Sequence, residues 1–226
     1  MIDAPTLDGG RVVALASGAG TTLAALLAAH DQPGYPARVV GVVSDRPGAA
    51  ALDRAREAGV ATAVVAPADF PDRAAWDAAV VAAIDVFTPD LVVLAGFMRL
   101  LGTPFVERYA GRAINTHPSL LPAFPGAHGV RDALTHGVKV TGCTVHLVDA
   151  GLDTGPILAQ AAVPVADDDD ETSLHERIKQ VERDLLADTV ARVVAGRVSV
   201  EGRRATVVAR PVADGARAEG RQATSG

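Results

Sequence analysis

The chain has few of the residues typical of secreted, membrane or nucleic-acid-binding proteins. Its single cysteine, Cys143, excludes an intrachain disulfide and a zinc site built from several cysteines. Only two of its 21 basic residues are lysines, the arginines form no run, and 27 acidic residues leave a net charge of −6, so we expect no nucleic-acid partner. No apolar run approaches the roughly 18 residues of a membrane span, and residues 1–10 lack a signal pattern, so we expect a cytoplasmic protein with no membrane partner.

The composition that remains is that of a globular enzyme. Hydrophobic residues make up 49% of the chain and charged residues 21%, which is too apolar for a disordered protein. The 226 residues contain no linker long enough to separate two domains. We therefore expect a leader over 1–10, a single domain over 11–210 and a disordered tail over 211–226. The pattern changes within the domain, which divides it into halves over 11–110 and 111–210.

The first half alternates short apolar runs with helical segments rich in alanine and leucine. Predicted strands cover residues 12–16, 38–43, 62–65 and 91–94. Predicted helices cover residues 23–29, 49–58 and 71–87. Continuous apolar strands between helices are typical of a parallel sheet with helices on both faces, so the sequence predicts a Rossmann-like α/β fold.

The second half carries an antiparallel addition to that sheet. Long strands predicted over 138–148 and 157–165 are joined by a loop too short for a crossover helix, so they must pair antiparallel. A short strand over 113–116 precedes them, and a hairpin over 198–200 and 206–208 closes the fold.

A long helix is predicted between these strands and the hairpin. Ser173 and Glu176 have the spacing of a capping box, which predicts a helix from there to about Ala195. The acidic residues 167–170 before it are expected to form a solvated loop. One apolar stripe along the helix is predicted from Leu174, Ile178, Val181, Leu185 and Val193.

A glycine-rich loop, SGAGTT at 17–22, joins the first predicted strand to the first predicted helix. Backbone amides at a helix N-terminus bind phosphate well when no side chain obstructs them. Leu23 stands where a dinucleotide-binding loop has its third glycine, and no lysine of a Walker loop is present. The loop is therefore either a phosphate site or a plain strand-to-helix turn. Asp45 follows the second strand, where a dehydrogenase has its ribose-binding acid, so a dehydrogenase is kept as an alternative.

Asn115, His117 and Asp153 are the strongest candidates for chemistry. The first two stand two residues apart at a strand end, so both side chains point to the same face, where ligands of open α/β sheets bind. An amide N–H suits an oxyanion, an imidazole transfers protons near neutral pH, and a carboxylate orients either the imidazole or a water. Neither Ser119 nor Cys143 stands as a nucleophile, so the set predicts direct acyl transfer between two bound substrates.

Other interpretations of the same residues stay open. An Asn-His pair can also serve only to hold loops together. A metal site could draw on five side chains, namely His117, His128, His146, Asp149 and Asp153. None of their spacings is a recognised ligand pattern, so we expect no metal. Cys143 and Trp76 are expected to pack in the core.

Four motifs in fixed order give the chain a specific resemblance. They are SGAGT at 17–21, LAGFMRLL at 94–101, NTHPSLLP at 115–122 and LDTGP at 152–156. Over about residues 11–208 the sequence resembles the phosphoribosylglycinamide formyltransferase family. The resemblance implies an enzyme of purine biosynthesis that moves the formyl group of 10-formyltetrahydrofolate, its co-substrate, to the amine of 5-phosphoribosylglycinamide. Both partners are small molecules, and whether the chain forms a homodimer is left undecided.

The resemblance also implies a role for each motif. The catalytic residues would be Asn115, His117 and Asp153. The ribonucleotide would bind to Gly20, Thr21, Thr22, Lys179 and Glu182. The formyl-folate would bind to Arg73, Met98, Arg99, Leu100, Leu101, Asn115, Asp149 and Asp153. The first half of the domain would then be phosphate-binding, and the second catalytic and folate-binding.

The implied reaction passes through a tetrahedral intermediate whose oxygen is stabilised by Asn115 and protonated His117. His117, or a water held between it and Asp153, would carry the proton to N10 of the departing folate. The main alternative is a 10-formyltetrahydrofolate deformylase, with water as acceptor and no need for a phosphate site. A nucleotide-binding module without catalysis is another alternative.

The chain departs from the family pattern at three positions. Thr22 stands where the family usually has asparagine, which removes one amide side chain from the phosphate loop. Arg183 stands where a histidine usually follows Glu182. Thr116 replaces an apolar residue, and its side chain is expected to point away from Asn115 and His117.

Overall fold

The computed structural model describes residues 10–209, which form one sheet of nine strands with helices on both faces. The strands are β1 (Gly10–Leu15), β2 (Ala37–Ser44), β3 (Ala61–Val64), β4 (Leu91–Leu94), β5 (Ala113–His117), β6 (Val140–Leu147), β7 (Ile157–Pro164), β8 (Gly196–Glu201) and β9 (Arg204–Ala209). The helices are α1 (Thr21–His30), α2 (Ala50–Glu57), α3 (Arg73–Asp85), α4 (Thr103–Arg108), α5 (Gly129–Thr135) and α6 (Glu171–Ala195). The expected leader and tail lie outside the described residues, except that Gly10 already belongs to β1.

The first half is the predicted parallel sheet. Strands β3, β2, β1, β4 and β5 lie side by side in that order, all parallel. Alternate residues of β1 face opposite sides: Val12 and Ala14 pack in one core with α1, α2 and α6, whereas Val13 and Leu15 pack in another with α3 and α4. Both faces are thus covered, which explains why these strands read as continuous apolar runs.

The second half reverses the strand direction and confirms the predicted antiparallel addition. Strand β6 pairs antiparallel with both β5 and β7, and a hairpin of β8 and β9 continues the sheet from β7. In the β5–β6 register Asn115 lies opposite His146, and His117 lies opposite Thr144. This register places polar residues of two strands at one end of the sheet.

The short helices were not predicted from the sequence. Helices α4 and α5, and a 3-10 turn at Pro67–Asp69, are too brief to show a clear 3.6-residue period. The predicted helix over 71–87 begins later, at Arg73, because the Asp72 side chain caps it by accepting a hydrogen bond from the Ala75 amide at 2.8 Å.

The prediction for the start of α6 was wrong. Asp170, not Ser173, is the N-cap: its carboxylate accepts a hydrogen bond from the Ser173 amide at 2.8 Å, and the Ser173 hydroxyl accepts one from the Asp170 amide at 3.0 Å. Asp169 is also not simply solvated, because it forms an ion pair with Arg177. Both Asp170 and Ser173 are good cap residues, so the sequence alone could not decide between them.

The helix reaches Ala195 as predicted, but its buried face is turned from the expected stripe. Leu174 and Ile178 are fully buried, whereas Val181, Leu185 and Val193 are only partly so. The inner face continues instead through Glu182, Leu186, Thr189 and Val190. A charged residue therefore lies on the inner face of this helix.

Loss of this cap should destabilise the fold measurably. We expect Asp170→Ala to lower the free energy of unfolding by about 1 kcal/mol, because it leaves amides of the first turn of α6 without a partner. Urea denaturation followed by circular dichroism measures the change. The control is Asp168→Ala, which removes a neighbouring exposed carboxylate that caps nothing. Equal destabilisation by both variants would contradict the assigned cap.

Candidate active site

The predicted catalytic residues meet at the carboxyl end of β5. Asn115 and His117 come from this strand, and the loop between β6 and β7 brings Asp153 beside them. The His117 Nδ1 atom lies 3.4 Å from Asp153 Oδ2, and both side chains are buried. This separation leaves no room for a water between the two atoms, so the bridging water considered above is replaced by direct contact.

His117 is held by acceptors on both ring nitrogens. Its Nε2 atom lies 2.7 Å from the carbonyl oxygen of Phe124 and must donate there, because a carbonyl can only accept. Its Nδ1 atom faces the Asp153 carboxylate. The Phe124 carbonyl and the Asp153 carboxylate thus fix the orientation of the ring from both sides.

Asp153 is fixed by its backbone as well as by its carboxylate. Its φ of 54° lies in the left-handed region, which non-glycine residues seldom occupy, and its Oδ2 atom accepts a hydrogen bond from the Gly126 amide at 2.8 Å. Burial raises the pKa of Asp153, but His146, the Gly126 amide and His117 outweigh that effect and lower the pKa below its ordinary value. The carboxylate is therefore charged at neutral pH.

The structure explains why the LDTGP motif has a glycine at position 155. A Cβ atom on Gly155 would collide with the carbonyl oxygen of Leu147, so this loop can lie against the end of β6 only with glycine at that position. Close contact between the loop and β6 brings Asp153 to the two histidines.

His146 belongs to the site, although the sequence suggested it only as a metal ligand. Its Nδ1 atom donates to the Leu147 carbonyl at 2.8 Å, which leaves Nε2 facing the other site residues. The Asn115 amide lies 3.4 Å from that Nε2 atom, and Asp153 Oδ1 lies 3.7 Å away. The ring thus contacts two of the three predicted catalytic side chains.

Glu182 connects the first helix to the catalytic strand. This buried carboxylate accepts a hydrogen bond from Thr116 at 2.6 Å and one from Thr22 at 3.5 Å. Burial raises the pKa of Glu182, although the two hydroxyls and the charges of His117 and Lys179 oppose the shift. Thr116 does point away from its neighbours on β5, as expected, but it has a role that the sequence did not reveal.

Lys179 does not contact Glu182 directly. Its Nζ atom instead donates to Glu176 Oε1 at 2.7 Å, one turn earlier on the same helix.

The glycine loop lies close against α2. Gly20 has a φ of 70°, a Cβ there would lie 2.7 Å from the Ala51 Cα atom, and no side chain caps α1.

The predicted folate residues surround a second region next to Trp76. Arg73 donates to the Leu100 carbonyl and pairs with Asp77, which joins α3 to the segment 98–101. A cleft of about 300 Å³ is lined here by Pro67, Phe70, Asp72, Arg73, Trp76 and Arg99. Trp76 is buried and donates to the Val65 carbonyl, so it packs as expected, and the guanidinium groups of Arg73 and Arg99 lie near its ring.

The other predicted folate residues are placed less uniformly. Met98 and Leu100 are 75% and 62% exposed, and Leu101 packs partly against the core. The Asp149 carboxylate turns into its own loop, where it accepts hydrogen bonds from the Gly151 amide and the Thr154 hydroxyl.

Asp45 cannot serve as a ribose-binding acid. Its side chain is fully buried, and Arg99 Nε donates to its Oδ2 atom at 2.6 Å. The dehydrogenase interpretation therefore loses its acidic residue.

Cys143 is buried in the core as expected, and burial raises the pKa of its thiol to about 12.

Comparison with known proteins decides the family. The formyl transferase family model matches residues 10–190. A phosphoribosylglycinamide formyltransferase of Mycobacterium tuberculosis (strain H37Rv) is 59% identical over 197 residues, which are 87% of this chain and 91% of the relative. The chain belongs to the phosphoribosylglycinamide formyltransferase family. It is therefore a formyltransferase, and the family takes its formyl group from 10-formyltetrahydrofolate.

Solved structures agree with this membership. Glycinamide ribonucleotide transformylase 1 from Symbiobacterium toebii superposes with a TM-score of 0.87 at 45% identity, covering 90% of this chain and 96% of its own. A formyltetrahydrofolate deformylase from Pseudomonas syringae superposes with a TM-score of 0.81 at 29% identity, covering 88% of this chain but 66% of its own. The predicted formyltransferase fold is thus confirmed, and the deformylase is a more distant neighbour.

The contacts of His146 lead to a kinetic prediction. His146→Phe should lower kcat by roughly 5–150-fold with little change in KM, because leaving buried polar partners unsatisfied costs about 1–3 kcal/mol. Steady-state kinetics with the ribonucleotide and 10-formyltetrahydrofolate measures it. His146→Gln keeps an acceptor for the Asn115 amide and should recover part of the rate. Wild-type kcat in the phenylalanine variant would show that His146 only fills space.

Proposed function

We propose that Asn115, His117 and Asp153 of this chain catalyse formyl transfer to phosphoribosylglycinamide. The reaction converts this substrate and 10-formyltetrahydrofolate into formylglycinamide ribonucleotide and tetrahydrofolate, a step of purine biosynthesis. The observation that carries the assignment is the contact of the buried Asp153 carboxylate with His117 beside Asn115.

Asn115 and His117 stabilise the charge that develops during attack. The substrate amine forms a bond to the formyl carbon, and the carbonyl electrons move to its oxygen. The Asn115 amide is placed to donate to that oxygen while it also contacts His146, because an amide nitrogen carries two hydrogens. When protonated, the His117 ring, held between Asp153 and the Phe124 carbonyl, places its positive charge beside that oxygen in a site sheltered from water.

Collapse of the intermediate requires a proton to move. The attacking nitrogen loses a proton and N10 of the folate gains one as the carbon–N10 bond breaks and the carbonyl re-forms. For this relay the His117 Nε2–H leaves the Phe124 carbonyl and protonates N10, and the neutral ring then takes the proton that the attacking nitrogen loses. The Asp153 carboxylate compensates the ring's charge before and after the transfer. Alignment of the two substrates supplies much of the remaining acceleration.

The two substrates reach this centre from different sides of the fold. The ribonucleotide phosphate binds at the amides of Gly20, Thr21 and Thr22, and Glu182 contacts the amine-bearing part of the same substrate. The folate lies along Arg73 and the segment 98–101, beneath the loop that carries Asp153. Support comes from Glu182, which joins Thr22 to the catalytic strand through Thr116.

The product distinguishes this function from its alternative. Purified protein supplied with both substrates should form tetrahydrofolate and formylglycinamide ribonucleotide in equal amounts. With 10-formyltetrahydrofolate alone it should release no formate. Formate release that does not depend on the ribonucleotide would establish a deformylase instead, and the absence of any turnover would refute the proposal.

Removing the charge of Asp153 should disable the relay. We expect Asp153→Asn to lower kcat by about 10²–10⁴-fold, because the amide cannot hold the imidazolium. The acidic limb of the pH dependence of kcat should change together with the rate. An unchanged rate and an unchanged acid limb would show that the pairing with His117 has no catalytic role.

The same pairing should contribute to stability in a defined pH range. The pKa of Asp153 is lowered on folding, so its stabilising effect is full above its unfolded value of about 3.9 and is lost as the pH falls through the lower folded value. The difference in unfolding free energy between wild type and Asp153→Asn should therefore be constant near neutral pH and shrink in acid. Urea denaturation at several pH values tests this, and a difference that grows in acid would contradict it.

Two expectations about the whole molecule remain predictions. Within residues 10–209, no helix combines the length and apolar character that crossing a membrane requires. A cytoplasmic location is what the sequence predicts. The choice between a monomer and a homodimer awaits light scattering of the purified protein.

A further inference from the structure

A cleft beside the glycine loop is lined by two arginines and by no carboxylate. It has a volume of about 260 Å³, lies between α1, α2 and α6, and is lined by Thr21, Ala24, Ala25, Arg54 and Arg183. None of these lining residues is acidic, although the chain as a whole has a net charge of −6. The cleft thus holds two positively charged side chains, although the protein as a whole is acidic.

Arg183 is the more unusual of the two. Its Nε atom is buried and has no hydrogen-bond partner, and the side chain forms no salt bridge anywhere in the described part of the chain, residues 10–209. A partly buried guanidinium without an anion is unfavourable, because burial removes hydration that nothing replaces. Such a group is explained when a ligand supplies the missing anion.

Arg54 reaches the same cleft from the opposite side. Its Nε atom donates to the carbonyl oxygen of Ala19 at 2.8 Å, which fixes the guanidinium against the glycine loop. Within residues 10–209 it too forms no salt bridge, whereas Arg56 on the same helix is paired with Asp53 at 2.8 Å. The glycine loop therefore has an anchored arginine on the α2 side and an unpaired one on the α6 side.

We propose that Arg54 and Arg183 bind the phosphate of the ribonucleotide together with the amides of the glycine loop. This inference rests on the proposed function and adds two binding residues to it. A phosphomonoester carries a charge of about −1.5 to −2 near neutral pH, which two guanidinium groups match. Their planar N–H groups also suit two phosphate oxygens at once.

The pair gives a physical reason for two departures from the family pattern. Thr22 removes an amide side chain from the phosphate loop, and Arg183 introduces a permanent charge where a histidine is usual. The gain of a guanidinium compensates for the loss of the amide donor. Because arginine stays charged at all working pH values, phosphate binding in this chain should not weaken when a histidine would lose its proton.

Steady-state kinetics and thermal unfolding with inorganic phosphate test the proposal on the full chain. For Arg183→Gln and Arg54→Gln we expect KM for the ribonucleotide to rise about 10–100-fold, with KM for 10-formyltetrahydrofolate unchanged. Inorganic phosphate should inhibit the wild type competitively against the ribonucleotide and raise its Tm. Both phosphate effects should be much weaker in the two variants.

Arg56→Gln is the matched control, because it removes the same charge from a neighbouring position outside the cleft. It should keep the wild-type KM and the wild-type response to phosphate. Arg183→Gln should be about as stable as wild type without phosphate, since it removes a partly buried guanidinium whose Nε atom has no hydrogen-bond partner. The phosphate-dependent part of the Tm shift therefore separates ligand binding from folding.

Arg183→His restores the residue usual in the family and adds a pH test. Relative to wild type at each pH, its KM for the ribonucleotide should be near normal below about pH 6 and should rise as the pH passes about 6.5, where an unperturbed imidazole loses its charge. A constant ratio across this range would overturn the role of charge at position 183.

Several results would overturn the proposal while leaving the proposed function intact. They are an unchanged ribonucleotide KM in Arg183→Gln, phosphate inhibition that is not competitive with the ribonucleotide, or an equal loss of phosphate binding in Arg56→Gln. Failure of the function itself is seen separately, as a wild-type protein that forms no formylated ribonucleotide.

Discussion

The buried carboxylate of Asp153 is the group on which the arrangement of the active site depends. It lies against the rings of His117 and His146 and accepts a hydrogen bond from the Gly126 amide. A buried charge is tolerated only when such partners replace its hydration. Because these partners come from β5, β6 and the loop after β5, satisfying one carboxylate fixes three segments relative to one another, including the unusual backbone of Asp153 itself.

Glu182 performs a similar task between the two halves of the domain. It lies on α6, far along the chain from Thr22 and Thr116, yet accepts hydrogen bonds from both. Helix α1, which follows the glycine loop, and the strand that carries Asn115 and His117 are thus both hydrogen-bonded to the same buried side chain. The distance between the glycine loop and β5 is thereby fixed by the packing of the inner face of α6.

Much of this could be predicted from the sequence, and the remainder has identifiable causes. The parallel strands, the antiparallel addition and the choice of Asn115, His117 and Asp153 as candidates that lie together follow from local patterns and motif resemblance. The role of His146 depends on the register between β5 and β6, which no local pattern specifies. The Thr116 contact with Glu182 likewise depends on how α6 packs, and the cap of α6 was misassigned because Asp170 and Ser173 suit the position equally well.

The arginines show why net charge is a poor guide to ligand binding in this protein. Near Trp76, Arg73 and Arg99 already contact Asp77 and Asp45, so that cleft is close to neutral before any ligand enters. Beside the glycine loop, no carboxylate within residues 10–209 lies within salt-bridge distance of the two arginines. A field from the whole surface would repel a phosphate from a protein of charge −6, but screening limits that repulsion to about 10 Å. In the proposed function, the anion is therefore selected by the guanidinium groups that have no salt-bridge partner.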